Sequence, residues 1–230
     1  MGMLIFHGQS TTEIVTGDGT RLLIDPFLTD NPLADVGPEH FHDRLDYLLL
    51  THGHYDHVAD AWSLLSATGA MLIASFEIVA YAQEVLKHEK AHPMHIGGGF
   101  DFPFGRVKMT SAVHGGHVWG EGAEGYTTVP AGLLLTLDGT GIYHAGDTGL
   151  TVDMTLLDGQ VDVAMLPIGD NFTMGPEDAA RAVDMINPRV VIPMHYNTWP
   201  LIEQDPEDFR ARVEPLAEVV VLAPGDEYEF

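Results

Sequence analysis

The stretch Leu48 to Val58, LLLTHGHYDHV, gathers His52, His54, Asp56 and His57 within six positions, directly after the apolar run Tyr47 to Leu50. That run reads as a buried strand, so four polar groups crowd the point where a strand ends. Imidazoles and carboxylates packed this closely repel like charges and are costly to bury unpaired. A divalent cation removes both costs. The alternation His52, Gly53, His54 sets two imidazoles on one side of an extended backbone, within reach of one ion. Gly53 is expected to let the chain turn tightly between them. Asp56 and His57 follow the turn and face the opening from the other side, where they would hold a second ion. A helix is expected to begin near Val58. Solvated loop histidines would account for one such imidazole, but not for this cluster of ligand types.

His114, Asp147 and His195 repeat the placement, each following an apolar strand-like run. An ion held by His52 and His54 needs a third protein ligand, which His114 can supply, with His117 as the alternative. His195 can complete the pair Asp56 and His57. Asp147 has two carboxylate oxygens and would bridge both ions, together with a water or hydroxide. Taken alone, Asp147 also fits a turn or N-cap and His195 a surface loop. Water bound to such an ion is acidified from ~15.7 towards roughly 7, which makes hydroxide available at neutral pH for attack on a carbonyl or phosphoryl centre. Asp56 is expected to orient that hydroxide as well as bind metal, so Asp56 and Asp147 are the expected catalytic residues. Asn171, Tyr196 and Asn197 flank late strands and are candidates for substrate hydrogen bonds, or else turn and loop residues. Gly120 to Gly125, with Trp119 beside it, reads as a surface loop or a mobile lid.

Positioning these residues requires strands that end together. Met3 to His7, Thr12 to Thr16 and Arg21 to Asp25 read as three short strands, with a turn at Gly17 to Gly19. Pro26, Pro32 and Pro38 punctuate the irregular segment before the strand Tyr47 to Leu50. A helix from about Val58 to Ala67, a strand at Ala70 to Ala74 and a helix from about Phe76 to His88 follow. Gly97 to Gly99 mark a turn before the strand Val107 to Val113. Val129 to Leu137 and Gly141 to Ala145 read as a hairpin closed at Asp138 and Gly139. Then come the strand Val161 to Leu166, a helix opening at Pro176, and the strand Arg189 to Pro193. A short helix at Glu207 to Val213 and a strand at Glu218 to Leu222 close the chain. Two successive halves of strands followed by strand–helix alternation predict two helix-covered sheets with the site along one edge.

The 230 residues, 45% of them hydrophobic, suit one folded domain spanning 1–230 with a sizeable core. No apolar run is long enough to span a membrane, and no signal peptide is visible, so a cytoplasmic location is expected. Ten Lys and Arg against 34 Asp and Glu give a formal charge of −24, which repels nucleic acid and anionic lipid. The expected partners are a small-molecule substrate and at most further copies of the chain as a homo-oligomer. The absence of cysteine excludes disulfides and thiolate ligands and leaves only N and O donors.

HxHxDH, a lone His, a Gly-Asp pair and a late His together resemble the metallo-β-lactamase superfamily over essentially the whole chain. The segments Leu166 to Ala179 (LPIGDNFTMGPEDA) and Val191 to Pro200 (VIPMHYNTWP) resemble more closely its family of uncharacterised metal-dependent hydrolases, relatives of the ascorbate-phosphate lactonase type. The resemblance implies an α/β protein, an αββα four-layer sandwich with the metal site at one edge. It assigns metal roles to His52, His54, Asp56, His57, His114, Asp147 and His195, and implies two divalent ions, zinc first with manganese or iron as alternatives. The function expected is hydrolysis of a small-molecule ester, lactone or phosphoester by a metal-bound hydroxide. The alternatives are a metal-stabilised binding or scaffold protein without turnover, and behind it a β-lactamase or a nuclease. Relatives carry a HGHS-like turn near the start where this chain reads His7-Gly8-Gln9-Ser10, which leaves the role of Gln9 open.

Overall fold

Backbone pairing in the computed structural model, which describes residues 1–230, follows the apolar runs of the sequence. β1 (Met3–Phe6), β2 (Thr12–Val15) and β3 (Arg21–Ile24) are antiparallel neighbours. From β3 onward the pairing is parallel, through β4 (Tyr47–Leu49), β5 (Met71–Ser75) and β6 (Ala91–Met94). Parallel neighbours need crossovers. α1 (Tyr55–Val58) and α2 (Ala61–Thr68) make the one between β4 and β5, and α3 (Phe76–Glu84) the one between β5 and β6.

The second half repeats this plan. β7 (Gly99–Phe102), β8 (Gly105–Ser111), β9 (Ala131–Leu137) and β10 (Thr140–His144) are antiparallel. β11 (Val163–Pro167), β12 (Val190–Met194) and β13 (Glu218–Val219) continue in parallel, with α4 (Pro176–Ile186) and α5 (Pro206–Val213) as crossovers. The last strand, β14 (Glu227–Glu229), returns to β1, giving two seven-stranded sheets ordered β14-β1-β2-β3-β4-β5-β6 and β13-β12-β11-β10-β9-β8-β7.

Side-chain alternation decides the layering. Leu22, Ile24, Leu49 and Ile73 join the core between the sheets, whereas Leu23, Leu48, Leu72 and Ala74 pack with Leu64, Leu65, Ile78 and Val79 of α2 and α3. β11 and β12 are buried at every position, because α4 and α5 cover their outer face through Ala179, Val183, Phe209 and Val213. The result is the expected αββα four-layer sandwich. No helix is long and apolar enough to cross a membrane.

Three strands escaped the sequence reading. β6, β7 and β14 are edge strands, half-exposed or exposed, and show no alternation to read. β6 also contains Pro93, which suits an edge. The expected helix start at Val58 is corrected to Tyr55. His54 is the last extended residue (φ −66°, ψ 153°), and its carbonyl already accepts from the N–H groups of His57 and Val58. Asp56 and His57 therefore stand on α1 itself.

Candidate metal centre

The carboxyl ends of parallel strands meet at one edge of the sandwich, where open α/β sheets commonly bind ligands. β3 delivers Asp25 there, β4 delivers Thr51 and His52, and the segments after β10 and β12 deliver Asp147 and His195. His114 arrives from the loop after β8. His52 Nε2 lies 3.0 Å from His54 Nδ1, and His114 Nε2 lies 3.2 Å from the same atom. Tetrahedral ligands at about 2.0–2.1 Å from an ion would stand about 3.3–3.4 Å apart, close to this spacing. Burial lowers the pKa of His52 well below the ordinary value and also lowers those of His54 and His114, so the rings present lone pairs. His117 is exposed, and its ring lies tilted against His54 at 5.5 Å without joining the converging nitrogens. His114 is thus the third member.

A second group forms beside the first. His195 Nε2 is 3.3 Å from Asp56 Oδ2 and 3.1 Å from Asp147 Oδ2, and His57 Nε2 is 3.3 Å from Asp147 Oδ1. Asp147 Oδ2 also lies 3.4 Å from His114 Nε2, so this one carboxylate reaches both groups. Burial alone would lower His57 and His195. The carboxylates of Asp147 and Asp56 outweigh it, with Asp25 adding to the effect on His57, and hold His57 well above its usual value and His195 at about 9. Burial would conversely raise Asp56 and Asp147, but the imidazoles hold both below the ordinary carboxylate range.

This geometry fits metal on two counts. His57 Nε2 and Asp147 Oδ1 are buried and face each other at 3.3 Å with no well-aligned hydrogen bond between them and no other partner, an arrangement that a cation between them would satisfy. The two imidazolium protons of the second group carry the same charge as one divalent ion, which can replace them without changing the balance.

Neighbouring groups fix the ligands. Asp25 is buried and accepts hydrogen bonds from Thr51 N (2.8 Å), Thr51 Oγ1 (2.6 Å) and His57 Nδ1 (2.8 Å). Because the Thr51 hydroxyl gives its proton to Asp25, its oxygen accepts from His52 Nδ1 at 3.0 Å. One carboxylate thereby holds the protons of His52 and His57 on Nδ1 and turns both Nε2 atoms inward. In the sequence Asp25 stands only as the end of an expected strand. Its position after an apolar strand is the same signal that singled out Asp147.

Gln9 donates through Nε2 to Asp56 Oδ2 (2.9 Å), accepts from the Thr198 hydroxyl, and takes the His195 N–H on its backbone carbonyl (2.7 Å). It ties α1 to the loop after β12. Gln9, Asp25 and His195 all have left-handed backbones (φ 54°, 49° and 55°), at a cost of about 1–2 kcal/mol each for residues with a Cβ. These hydrogen bonds hold that strain.

Gly53 serves a different purpose from the one expected. Its φ is ordinary, and a Cβ there would lie 2.3 Å from the His117 carbonyl oxygen, so glycine admits the neighbouring loop rather than a turn. That loop is anchored at three points. Trp119 N–H donates to Gly53 O (2.8 Å), Trp62 Nε1 to Trp119 O (2.8 Å) and Tyr81 OH to Glu121 O (2.9 Å).

A cleft of about 260 Å³ opens onto the centre, lined by His54, Asp56, His114, Asp147, Phe172, His195 and Trp199. Asn171, Tyr196 and Asn197, the residues expected to contact substrate, do not line it. Asn197 is a turn residue (φ 62°) whose side chain accepts from Gln204 N–H, Tyr196 packs against the core, and Asn171 is exposed. The aromatic neighbours Phe172 and Trp199 take the places facing the cleft.

Residues 20–196 match the family model described as the Beta-lactamase superfamily domain. The chain is 50% identical over 231 aligned positions to a UPF0173 metal-dependent hydrolase of Heliobacterium modesticaldum, covering 96% of this chain and 94% of that one. The chain belongs to the metallo-β-lactamase superfamily. Within that superfamily it is a metal-dependent hydrolase, and a second such relative, from Anoxybacillus flavithermus, is 47% identical with 97% and 99% covered. Among solved structures of superfamily hydrolases, Igni18, a metallo hydrolase from the archaeon Ignicoccus hospitalis, superimposes with a TM-score of 0.87 at 34% identity, covering 100% of this chain and 99% of that one. Membership as an enzyme sets aside the alternative of a scaffold without turnover.

Proposed function

We propose that this hydrolase cleaves an ester, lactone or phosphoester bond of a small molecule at a pair of divalent ions. His52, His54 and His114 would hold one ion, Asp56, His57 and His195 the other, and Asp147 would reach both. Ions there, zinc first and manganese or iron as alternatives, would acidify water and polarise the scissile carbonyl or phosphoryl oxygen.

The chain's own residues supply the rest. Asp25, directly and through Thr51, keeps the His57 and His52 protons on Nδ1. Gln9 and His195 engage Oδ2 of Asp56, while no protein hydrogen bond engages Oδ1, which is left to accept a hydrogen bond from water in the cleft and orient it. Phe172 and Trp199 wall the cleft and limit bulk water around the reacting group.

The observation that carries this reading is the convergence of seven donor residues into two adjacent groups, with no well-aligned hydrogen bond to buried His57 Nε2 or Asp147 Oδ1. Elemental analysis of protein purified without chelator tests it, with His52→Ala and His195→Ala as controls. The expected result is about two equivalents in the parent, falling in each variant, and hydrolysis of model esters, lactones or phosphodiesters by the loaded parent. A metal content near zero after reconstitution with Zn²⁺ or Mn²⁺ refutes it.

A further inference from the structure

Of the seven residues lining the cleft, five belong to the two ligand groups. What remains to meet the substrate beyond its scissile bond is Phe172 and Trp199, 51% and 36% exposed. Trp199 is held in place. Its ring stacks on buried Phe27 (centroids 5.9 Å apart, planes at 30°), Tyr55 meets Phe27 edge-on at 5.6 Å, and Trp119 meets Tyr55 at 5.5 Å. This arc continues through His117, 6.0 Å from Trp119, into a neighbouring cavity of about 480 Å³.

Charge around the arc has one sign. The second cavity is lined by Glu121 and Glu124, and Tyr55 OH donates to Asp30 at 3.1 Å. None of the chain's ten Lys and Arg lines either cavity. A phosphate or carboxylate carried outside the scissile bond would lose water without gaining the guanidinium or ammonium that ordinarily repays it. It would also enter the field of a chain of formal charge −24. Aromatic faces offer the opposite preference, large apolar area at little entropic cost.

Resting on the hydrolase reading above, we propose that the substrate is an uncharged ester or lactone bearing an aryl or alkyl group that lies against Trp199 and Phe172, and that phosphate- or carboxylate-bearing analogues are selected against. The scissile group would lie at the two ligand groups when these hold metal, and the aromatic arc takes the remainder.

The test is a matched pair of equal size, 4-acetoxybenzamide and 4-acetoxybenzoate, offered to the metal-loaded protein at low and high salt. The expected kcat/KM of the anionic ester is lower by about tenfold or more at low salt, chiefly through KM, with the gap narrowing as salt screens the field. Binding is read separately by quenching of tryptophan emission with 4-nitrobenzamide and 4-nitrobenzenesulfonate. The amide is expected to quench saturably, the sulfonate not to, and Trp199→Leu to weaken amide binding while the metal content stays that of the parent. Equal or better turnover and binding of the anionic members overturns the proposal and leaves the hydrolase reading standing. No turnover of either ester at full metal occupancy overturns the ester-hydrolase reading, and this proposal with it.

Discussion

Asp25→Asn removes one charge and changes one atom, yet the structure makes it a severe change at the metal centre. Oδ1 of Asp25 takes the Thr51 backbone N–H, and Oδ2 takes both the Thr51 hydroxyl and His57 Nδ1. An amide cannot serve all three. If its oxygen stays on the Thr51 N–H, its NH₂ faces His57 Nδ1 and moves the imidazole proton to Nε2, the atom turned towards the ligand group. If the oxygen faces His57, the NH₂ opposes the Thr51 N–H inside a fully buried pocket. Losing a charge-assisted hydrogen bond costs about 1.5–3 kcal/mol, and loss of a partner behind a ligand lowers metal affinity about 10–100-fold, or about 1.4–2.8 kcal/mol. Competition against a chromophoric chelator measures this directly. The variant is expected to lose affinity most for the ion at His57, with a smaller loss at His52 transmitted by Thr51. Thr51→Val keeps the backbone donor and the side-chain shape, and is expected to weaken the His52 group alone. Parental affinity for both ions in Asp25→Asn would refute this account, as would lower thermal stability with unchanged affinity.

Asp147→Asn is expected to lower metal occupancy and hydrolysis together, since this carboxylate reaches both groups; unchanged metal content and turnover would sink the bridging assignment. Gln9→Leu is expected to leave the first ion in place and weaken the second by about tenfold, read by calorimetric titration, because Asp56 loses the donor that aims it. Gly53→Ala drives a Cβ to within 2.3 Å of the His117 carbonyl, and is expected to destabilise by about 1–3 kcal/mol, visible as a lower thermal midpoint. The metal-free protein should lose stability as pH rises. The folded pKa values of His57 and His195 lie above the unfolded value of about 6.5, so their contribution is complete below that pH and is lost as pH climbs through the His195 value of about 9. Urea midpoints measured from pH 6 to 10 should fall for the metal-free form and stay flatter for the loaded one, where ions stand in place of the protons.

Much of this site was legible because its ligands follow a simple placement, a polar residue within three positions after the end of a strand. That rule found His52, His114, Asp147 and His195. It would also have found Asp25 had the rule been applied to the strand ending at Ile24. What lay beyond it depended on distances across the fold. Nothing local distinguishes His114 from His117, and the choice is made by where the loop after β8 meets Gly53, through the close approach of His117 and Val118 to that glycine. The contribution of Gln9 likewise rests on partners 47 and 189 positions away. Asn171, Tyr196 and Asn197 were chosen for their hydrogen-bonding groups, but turn geometry and core packing engage two of them and the cleft presents aromatic surface instead. The sandwich was legible wherever strands were buried on at least one face. It was lost at three of the four sheet edges, where a largely exposed strand such as Gly99–Phe102 need not alternate.

The two ligand groups also explain why the halves of the sandwich must stay in register. His52, His54, Asp56 and His57 come from the first sheet and its crossover, whereas His114, Asp147 and His195 come from the second. Each group takes members from both, so neither half can assemble a complete set alone. Hydrogen bonds to Gln9 from the His195 N–H and the Thr198 hydroxyl cross the same seam and bring the first turn of the chain to its last ligand. Any ion bound here therefore stabilises the packing of one sheet on the other by its differential affinity for the folded form, about 2.7 kcal/mol at a hundredfold excess over Kd. The strain held at Gln9 and His195 is tolerated because it lies on this seam, where the same contacts that position the ligands also join the sheets, whereas that at Asp25 is held within the first sheet by Thr51 and His57.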